Sequence, residues 1–202
     1  MPKSATNLQG WYQRGYLPHF DPGQAPQLIT FRLVDSFPTS VLQEWESEFA
    51  TMVPEKVDSE RRRRIEEYLD HGHGSAWLSQ PEIGEIVAQS VLHFAVQRYQ
   101  LHAWCVMPNH VHVILTPNTD QPLNRIVHSW KSFSSNRANC YLKRTGAFWQ
   151  REYFDRFIRD ERHFEAAVHY VEHNPVKAGL CSSANEWRFS SAFSAATGKN
   201  NV

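Results

Sequence analysis

Two β-forming runs, His102 to Val106 and His110 to Thr116, are separated only by Met107-Pro108-Asn109. Pro-Asn is turn chemistry, so the two runs read as an antiparallel hairpin, and the chain must contain a sheet that accommodates it. The two-residue period of a strand then puts His110 and His112 on one face and Val111 and Val113 on the other. Two imidazoles side by side suit a divalent metal, although an isolated His-x-His is equally compatible with two polar residues at a sheet surface. His71 and His73 repeat the spacing, but Gly72 and Gly74 put them in a loop that does not set their ring directions. The strand pair is therefore the better ligand candidate.

The remaining elements follow from periodicity and punctuation. Leu28 to Val34 is rich in β-formers and reads as the first strand. Helices are predicted over Val41 to Ala50 and Ser59 to Leu69. Arg61 to Arg64 point in four directions on the second, which makes them a solvated surface partly paired with Glu66 and Glu67. Ser79-Gln80-Pro81-Glu82 opens a helix that should run to about Tyr99. A helix over Leu123 to about Tyr141, a short strand from Phe154 to Ile158 and a helix from Asp160 or Glu161 through about His173 complete the order. The last should stop near Asn174-Pro175, because a residue before proline is pushed out of helical geometry. This mixture predicts an α+β fold, one antiparallel sheet packed against helices. Residues 1–26 read as an irregular arm with Trp11, Tyr12, Tyr16 and Phe20 as anchors, 27–192 as the domain and 193–202 as a flexible tail.

Composition narrows the function. The net charge is zero, yet Gln121 to Arg159 holds eight cations against Glu152 and Asp155, so that segment carries +6 and the rest −6. Trp130, Phe133, Tyr141, Phe148 and Trp149 interleave with those cations, and phosphate-binding charge plus aromatic faces is what single-stranded nucleic acid requires. Cys105, Cys140 and Cys181 are odd in number and far apart, which argues against a disulfide framework or a zinc ribbon. No apolar run is long enough to span a membrane and no secretory leader pattern opens the chain, so a cytoplasmic, nucleoid-associated protein is expected.

Near the C-terminus, Tyr170-Val171-Glu172-His173-Asn174 closes a helix, with Tyr170 and Asn174 four residues apart on one face. Two imidazoles and an amide oxygen would half-fill the sphere of Mg2+ or Mn2+ and leave room for water and a phosphate oxygen. A helical tyrosine without such context is usually a packing residue.

Several blocks in order resemble a known family. Trp104 to Leu115, with its Met107-Pro108-Asn109-His110-Val111-His112 core, resembles the His-hydrophobic-His segment of insertion-sequence tyrosine transposases, and their REP-associated relatives are more similar still. The likeness continues through Phe148 to Arg156, Ile158 to Glu161, Tyr170 to Leu180 and Trp187 to Ala192. It implies a ferredoxin-like or RRM-like sheet with the histidines on a central strand, His110 and His112 as metal ligands, and Tyr170 as the nucleophile forming a 5′-phosphotyrosine. Asn174 stands where insertion-sequence relatives carry a glutamine as third ligand. Arg156 stands, after Phe154-Asp155, where many relatives carry histidine. The expected partner is a single-stranded DNA hairpin of the repetitive extragenic palindrome type. Trp149, Gln150, Arg151, Arg156, Lys131, Arg125 and Arg137 are candidate DNA contacts, and Tyr153 is the alternative nucleophile. The protein is expected to act as a monomer, with a homodimer as the other state. Two further readings remain open: a DNA-binding protein without catalysis, and a metal nuclease using water, with Cys105 beside the histidines.

Overall fold

A computed structural model of the chain describes residues 10–13, 18–21 and 24–193. In chain order the elements are β1 (Gly10–Gln13), β2 (Pro18–Asp21), β3 (Gln27–Arg32), α1 (Thr39–Phe49), α2 (Pro54–Asp70), α3 (Pro81–Leu92), β4 (Tyr99–Val106), β5 (His110–Pro117), α4 (Leu123–Tyr141), β6 (Phe154–Phe157) and α5 (Glu161–Lys177). β4, β5, β3 and β6 form one sheet in the spatial order β4-β5-β3-β6, all antiparallel. With α3 and α4 as the two crossovers, this is the ferredoxin-like arrangement, and the histidine strand β5 is central, as expected.

Alternation divides the core in two. Ile29, Phe31, Val111, Val113 and Leu115 face α3 and α4, where Trp130 is the largest buried side chain. Its indole N–H donates to the Tyr99 hydroxyl at 2.9 Å, which in turn donates to the Val91 carbonyl. A buried aromatic keeps its polar tip bonded in this way. Leu28, Ala103, Cys105 and Ile114 face the opposite side, against Ala167 and Val171 of α5. A register shift between Leu101 and Ala103 makes His102 the extra residue of a bulge in β4. Beside α5 on the same face, Val41 and Trp45 of α1 and Ile65, Tyr68 and Leu69 of α2 form a cluster with Phe37 ahead of α1 and with Phe154 of β6.

Three expectations are corrected. The helix α3 stops at Leu92 rather than near Tyr99. Val96 adopts a φ of 72°, a left-handed conformation no helix tolerates in a β-branched residue, and Tyr99 already belongs to the sheet. The helix α5 passes through Pro175 to Lys177. The stop is Gly179, at φ 70°: its N–H donates to the Val176 carbonyl at 3.0 Å and that of Leu180 to Pro175 at 2.9 Å, closing a Schellman motif. Within the arm, β1 and β2 pair as an antiparallel ribbon, so those residues are not irregular. The tail from 194 to 202 and the anchor Tyr16 lie outside the described residues. The segment after α5 returns to the sheet, where the Val106 N–H donates to the Phe189 carbonyl at 2.8 Å and the Trp187 indole to the Val106 carbonyl at 2.9 Å.

Candidate active site

His110 and His112 project from β5 toward α5, and each is 1% exposed. Their Nε2 atoms approach to 3.0 Å. What holds them there is a bonded partner on each Nδ1. The Asn109 side chain donates through Nδ2 to the His73 carbonyl at 2.9 Å, which orients its amide and turns Oδ1 to the Nδ1 of His110 at 2.7 Å. An amide oxygen can only accept, so Nδ1 of His110 carries the proton and Nε2 presents a lone pair. Thr30 does the corresponding work from β3, its hydroxyl lying 2.8 Å from Nδ1 of His112. The pairing of Thr30 with His112 and of Arg32 with His110 across β3 and β5 puts all four on one face.

Burial, and for His110 also the nearby charges of His112, Arg32 and Lys177, holds the His110 imidazole well below its ordinary range. Burial first and Lys177 second push His112 down to about 3. Both rings are therefore neutral near pH 7, the form that ligates a cation. Asn174 approaches from α5: it is fully buried, its Nδ2 lies 3.3 Å from Nε2 of His112, and its Oδ1 has no hydrogen-bond partner. A half-turn of the amide would aim that oxygen at the histidines. Two buried imidazole Nε2 atoms 3.0 Å apart and an orphaned buried oxygen fit a divalent cation with nitrogen and oxygen donors. Among the described residues no third His, Cys, Asp or Glu completes such a group, which leaves the amide as the candidate for a third protein donor.

Tyr170 lies one helical turn before Asn174, its ring 5.3 Å from that of His112. Its hydroxyl is buried without a hydrogen bond of good geometry. Burial, then the charges of Glu66 and Asp70 on α2, raise the phenol far above its ordinary value, so in this arrangement it keeps its proton. Burial also raises the carboxyls of Glu66 and Asp70. Lys177 bridges the two helices, its ammonium 2.7 Å from Asp70 Oδ2 and 5.9 Å from the centre of the Tyr170 ring. Arg32 is buried beside His110 with its guanidinium over Phe37 at 5.0 Å and Phe154 at 5.3 Å.

Of the sequence candidates, the structure brings together His110, His112, Tyr170 and Asn174. Arg156 is exposed on β6, paired with Leu28 and so on the histidine face, and its charge reaches Glu66. Tyr153 packs into the core on the α3 and α4 face, opposite the histidines. Trp149 is buried there too, its indole donating to Ser134 at 2.9 Å. Lys131 donates to the carbonyls of Gln150 and Arg151 at 2.7 and 2.8 Å, and burial pulls it down to about 8. Gln150 itself donates from its backbone to the Arg32 carbonyl. Arg125, Arg137 and Arg151 are exposed, the first two on α4, across the sheet from the site. The rings of His71 and His73 stack 6.1 Å from each other, and His73 supports the site through its backbone carbonyl on Asn109. Cys105 shares the α5-side core with Met107 and its thiol is raised by burial. Sequence reasoning missed Asn109, Thr30, Arg32 and Lys177. Asn109 adjoins His110, and Lys177 falls seven residues after Tyr170 on the same stripe, which are the signals that could have found them.

Residues 79–174 match the family model of IS200-like transposases. A REP-associated tyrosine transposase of Escherichia coli is 30% identical over 94 residues, covering 46% of this chain and 53% of that protein. A Haemophilus influenzae protein, whose name likewise places it among REP-associated tyrosine transposases, is 27% identical over 106 residues, covering 46% and 58%. The chain thus spans a little over half the length of these relatives. A solved structure described as a REP-associated tyrosine transposase bound to a REP hairpin superposes with a TM-score of 0.56 at 18% identity, covering 93% of this chain and 86% of that one, and shares the fold. Among the described residues no helix is long and apolar enough to cross a membrane.

Proposed function

We propose that this chain, whose residues 79–174 match the IS200-like transposase model, is a metal-dependent single-strand DNA endonuclease and strand transferase with Tyr170 as nucleophile. The observation that carries the reading is the convergence of two imidazole Nε2 atoms, an unpaired amide oxygen and a buried phenol on one face of the sheet. His110, His112 and Asn174 would hold Mg2+ or Mn2+. Bound there, it would supply Lewis acidity to the scissile phosphate. Tyr170 attacks phosphorus and its proton leaves to water, the P–O3′ bond breaks with the departing 3′-oxygen taking a proton from water, and a 5′-phosphotyrosine forms. Because the ester conserves the energy of the phosphodiester, a DNA 3′-hydroxyl can reverse the step without ATP.

The partner supported by the structural relative is a single-stranded hairpin of the REP type, acting with a monomer at the nucleoid. Arg156 is the candidate contact on the histidine face, while Arg125, Arg137 and Arg151 are exposed candidates for flanking phosphates. Tyr170→Phe is expected to bind the hairpin as wild type does and to form no denaturant-resistant adduct in Mn2+, whereas Tyr153→Phe forms it. An adduct with Tyr170→Phe would sink the assignment. Hairpin binding with no cleavage by the wild type would favour the DNA-binding reading, which the buried, proton-retaining phenol of this arrangement also accommodates.

A further inference from the structure

α5 presents three polar groups along one stripe: Tyr170, Asn174 and, seven residues after the tyrosine, Lys177. Two of them have the roles proposed above. Lys177 is half exposed, its ammonium stands 5.9 Å from the phenol ring, and its charge is felt by both histidines. It is a cation beside the place where a phosphate would meet metal and nucleophile. Its present partner is poorly accommodated. The Asp70 side chain is 10% exposed, and only one of its oxygens is bonded, Oδ2 to Lys177 at 2.7 Å, while Oδ1 is buried with none. A carboxylate held that way loses solvation that a single ion pair does not replace.

We propose that Lys177 is a phosphate-binding catalytic residue of this site, and that Asp70 is a resident counter-ion which the scissile phosphate displaces. The inference rests on the strand-transfer reading for its substrate. On entry, a non-bridging phosphate oxygen takes the Lys177 ammonium from Asp70. The ammonium keeps its proton throughout. It offsets charge on the phosphoryl oxygens as the Tyr170 oxygen–phosphorus bond forms and the P–O3′ bond breaks, with the phenol proton passing to water and the departing 3′-oxygen taking one from water. In the reverse direction it stabilises the departing phenolate.

The alternative is that the Asp70–Lys177 pair merely ties α2 to α5. The two roles separate, because Asp70→Asn breaks that tie as surely as Lys177→Ala but leaves the cation in place. The test uses the full chain as wild type, Lys177→Ala, Lys177→Arg, Asp70→Asn and the Asp70→Asn/Lys177→Ala double variant, with thermal melts to establish folding. The probe is a DNA hairpin with a single-stranded flank. Binding is measured in EDTA across a salt series, and adduct formation in Mn2+ under single-turnover conditions. Lys177→Ala should flatten the salt slope by about 0.7, one single-strand phosphate contact. It should also slow the adduct about 100-fold, and Lys177→Arg should restore the slope. Asp70→Asn should tighten binding about fivefold, and only where Lys177 is present. An unchanged slope in Lys177→Ala, or Asp70→Asn weakening binding as Lys177→Ala does, would overturn the proposal. A wild type that binds but forms no adduct overturns the strand-transfer reading instead, and the slopes still decide whether Lys177 holds phosphate.

Discussion

Replacing Asn109 by Ala removes the group that sets the His110 tautomer, and its cost can be worked from the bonds it makes. The Asn109 amide is fully buried, donating to the His73 carbonyl at 2.9 Å and accepting from His110 Nδ1 at 2.7 Å. His73 is exposed, so its carbonyl can turn to water and the loss there is about 1 kcal/mol. The Nδ1–H of His110 has no such recourse, and a buried donor left unpaired costs about 1–3 kcal/mol. The apo protein should therefore lose about 2–4 kcal/mol of stability. The ring is then free to move its proton to Nε2, where it occupies the lone pair a cation needs. An outer partner of this kind is worth about 10–100-fold in metal affinity. Calorimetric titration with Mn2+ should show that loss in Asn109→Ala. Asn109→Asp, whose carboxylate still accepts from Nδ1, should retain affinity at or above wild type while losing the bond to His73. Wild-type affinity in Asn109→Ala, or equal weakening in Ala and Asp, would refute the tautomer argument.

Other expectations follow from the same geometry. His112 is held at about 3 in the folded protein against 6.5 unperturbed, so the native state refuses a proton the unfolded chain accepts. The stability is complete above about pH 6.5 and falls by roughly 1.4 kcal/mol per pH unit as pH drops toward 3. Urea denaturation of the apo protein at pH 7, 5.5 and 4.5 should show this slope, and His112→Gln should lessen it. Lys131→Ala should lower the melting temperature through loss of its bonds to the Gln150 and Arg151 carbonyls, with the salt dependence of DNA binding nearly unchanged. Gly179→Ala meets no neighbouring atoms, so its cost is the left-handed φ alone, about 1 kcal/mol, seen as a lower melting temperature.

How much of this was legible in the sequence depended on whether the deciding contact was local. The hairpin, the shared face of His110 and His112, and the i, i+4 spacing of Tyr170 and Asn174 are properties of one element each, and they held. The end of α5 is obscured in the sequence because Pro175 signals a stop, while the residue that takes the left-handed φ and ends the helix is Gly179, four positions later. Trp149 and Lys131 looked like DNA contacts because an aromatic or a cation has the same letter whether it faces solvent or core. Only the packing of α4 on the sheet buries the one and gives the other two carbonyls to hold. Thr30 and Asp70 lie far from their partners in sequence, joined by sheet register and by the docking of α2 on α5. No spacing rule reaches across 82 or 107 residues, the separations of those two pairs.

The central claim is that Tyr170, beside the histidine pair, forms the covalent bond to DNA. Incubating the full chain with a hairpin substrate in Mn2+, digesting the product and mapping the nucleotide-bearing peptide by mass spectrometry tests it directly. The account predicts a 5′-phosphonucleotide on the peptide containing Tyr170, absent when EDTA replaces the metal. Modification of the Tyr153 peptide, or cleaved DNA with no modified peptide, would contradict it.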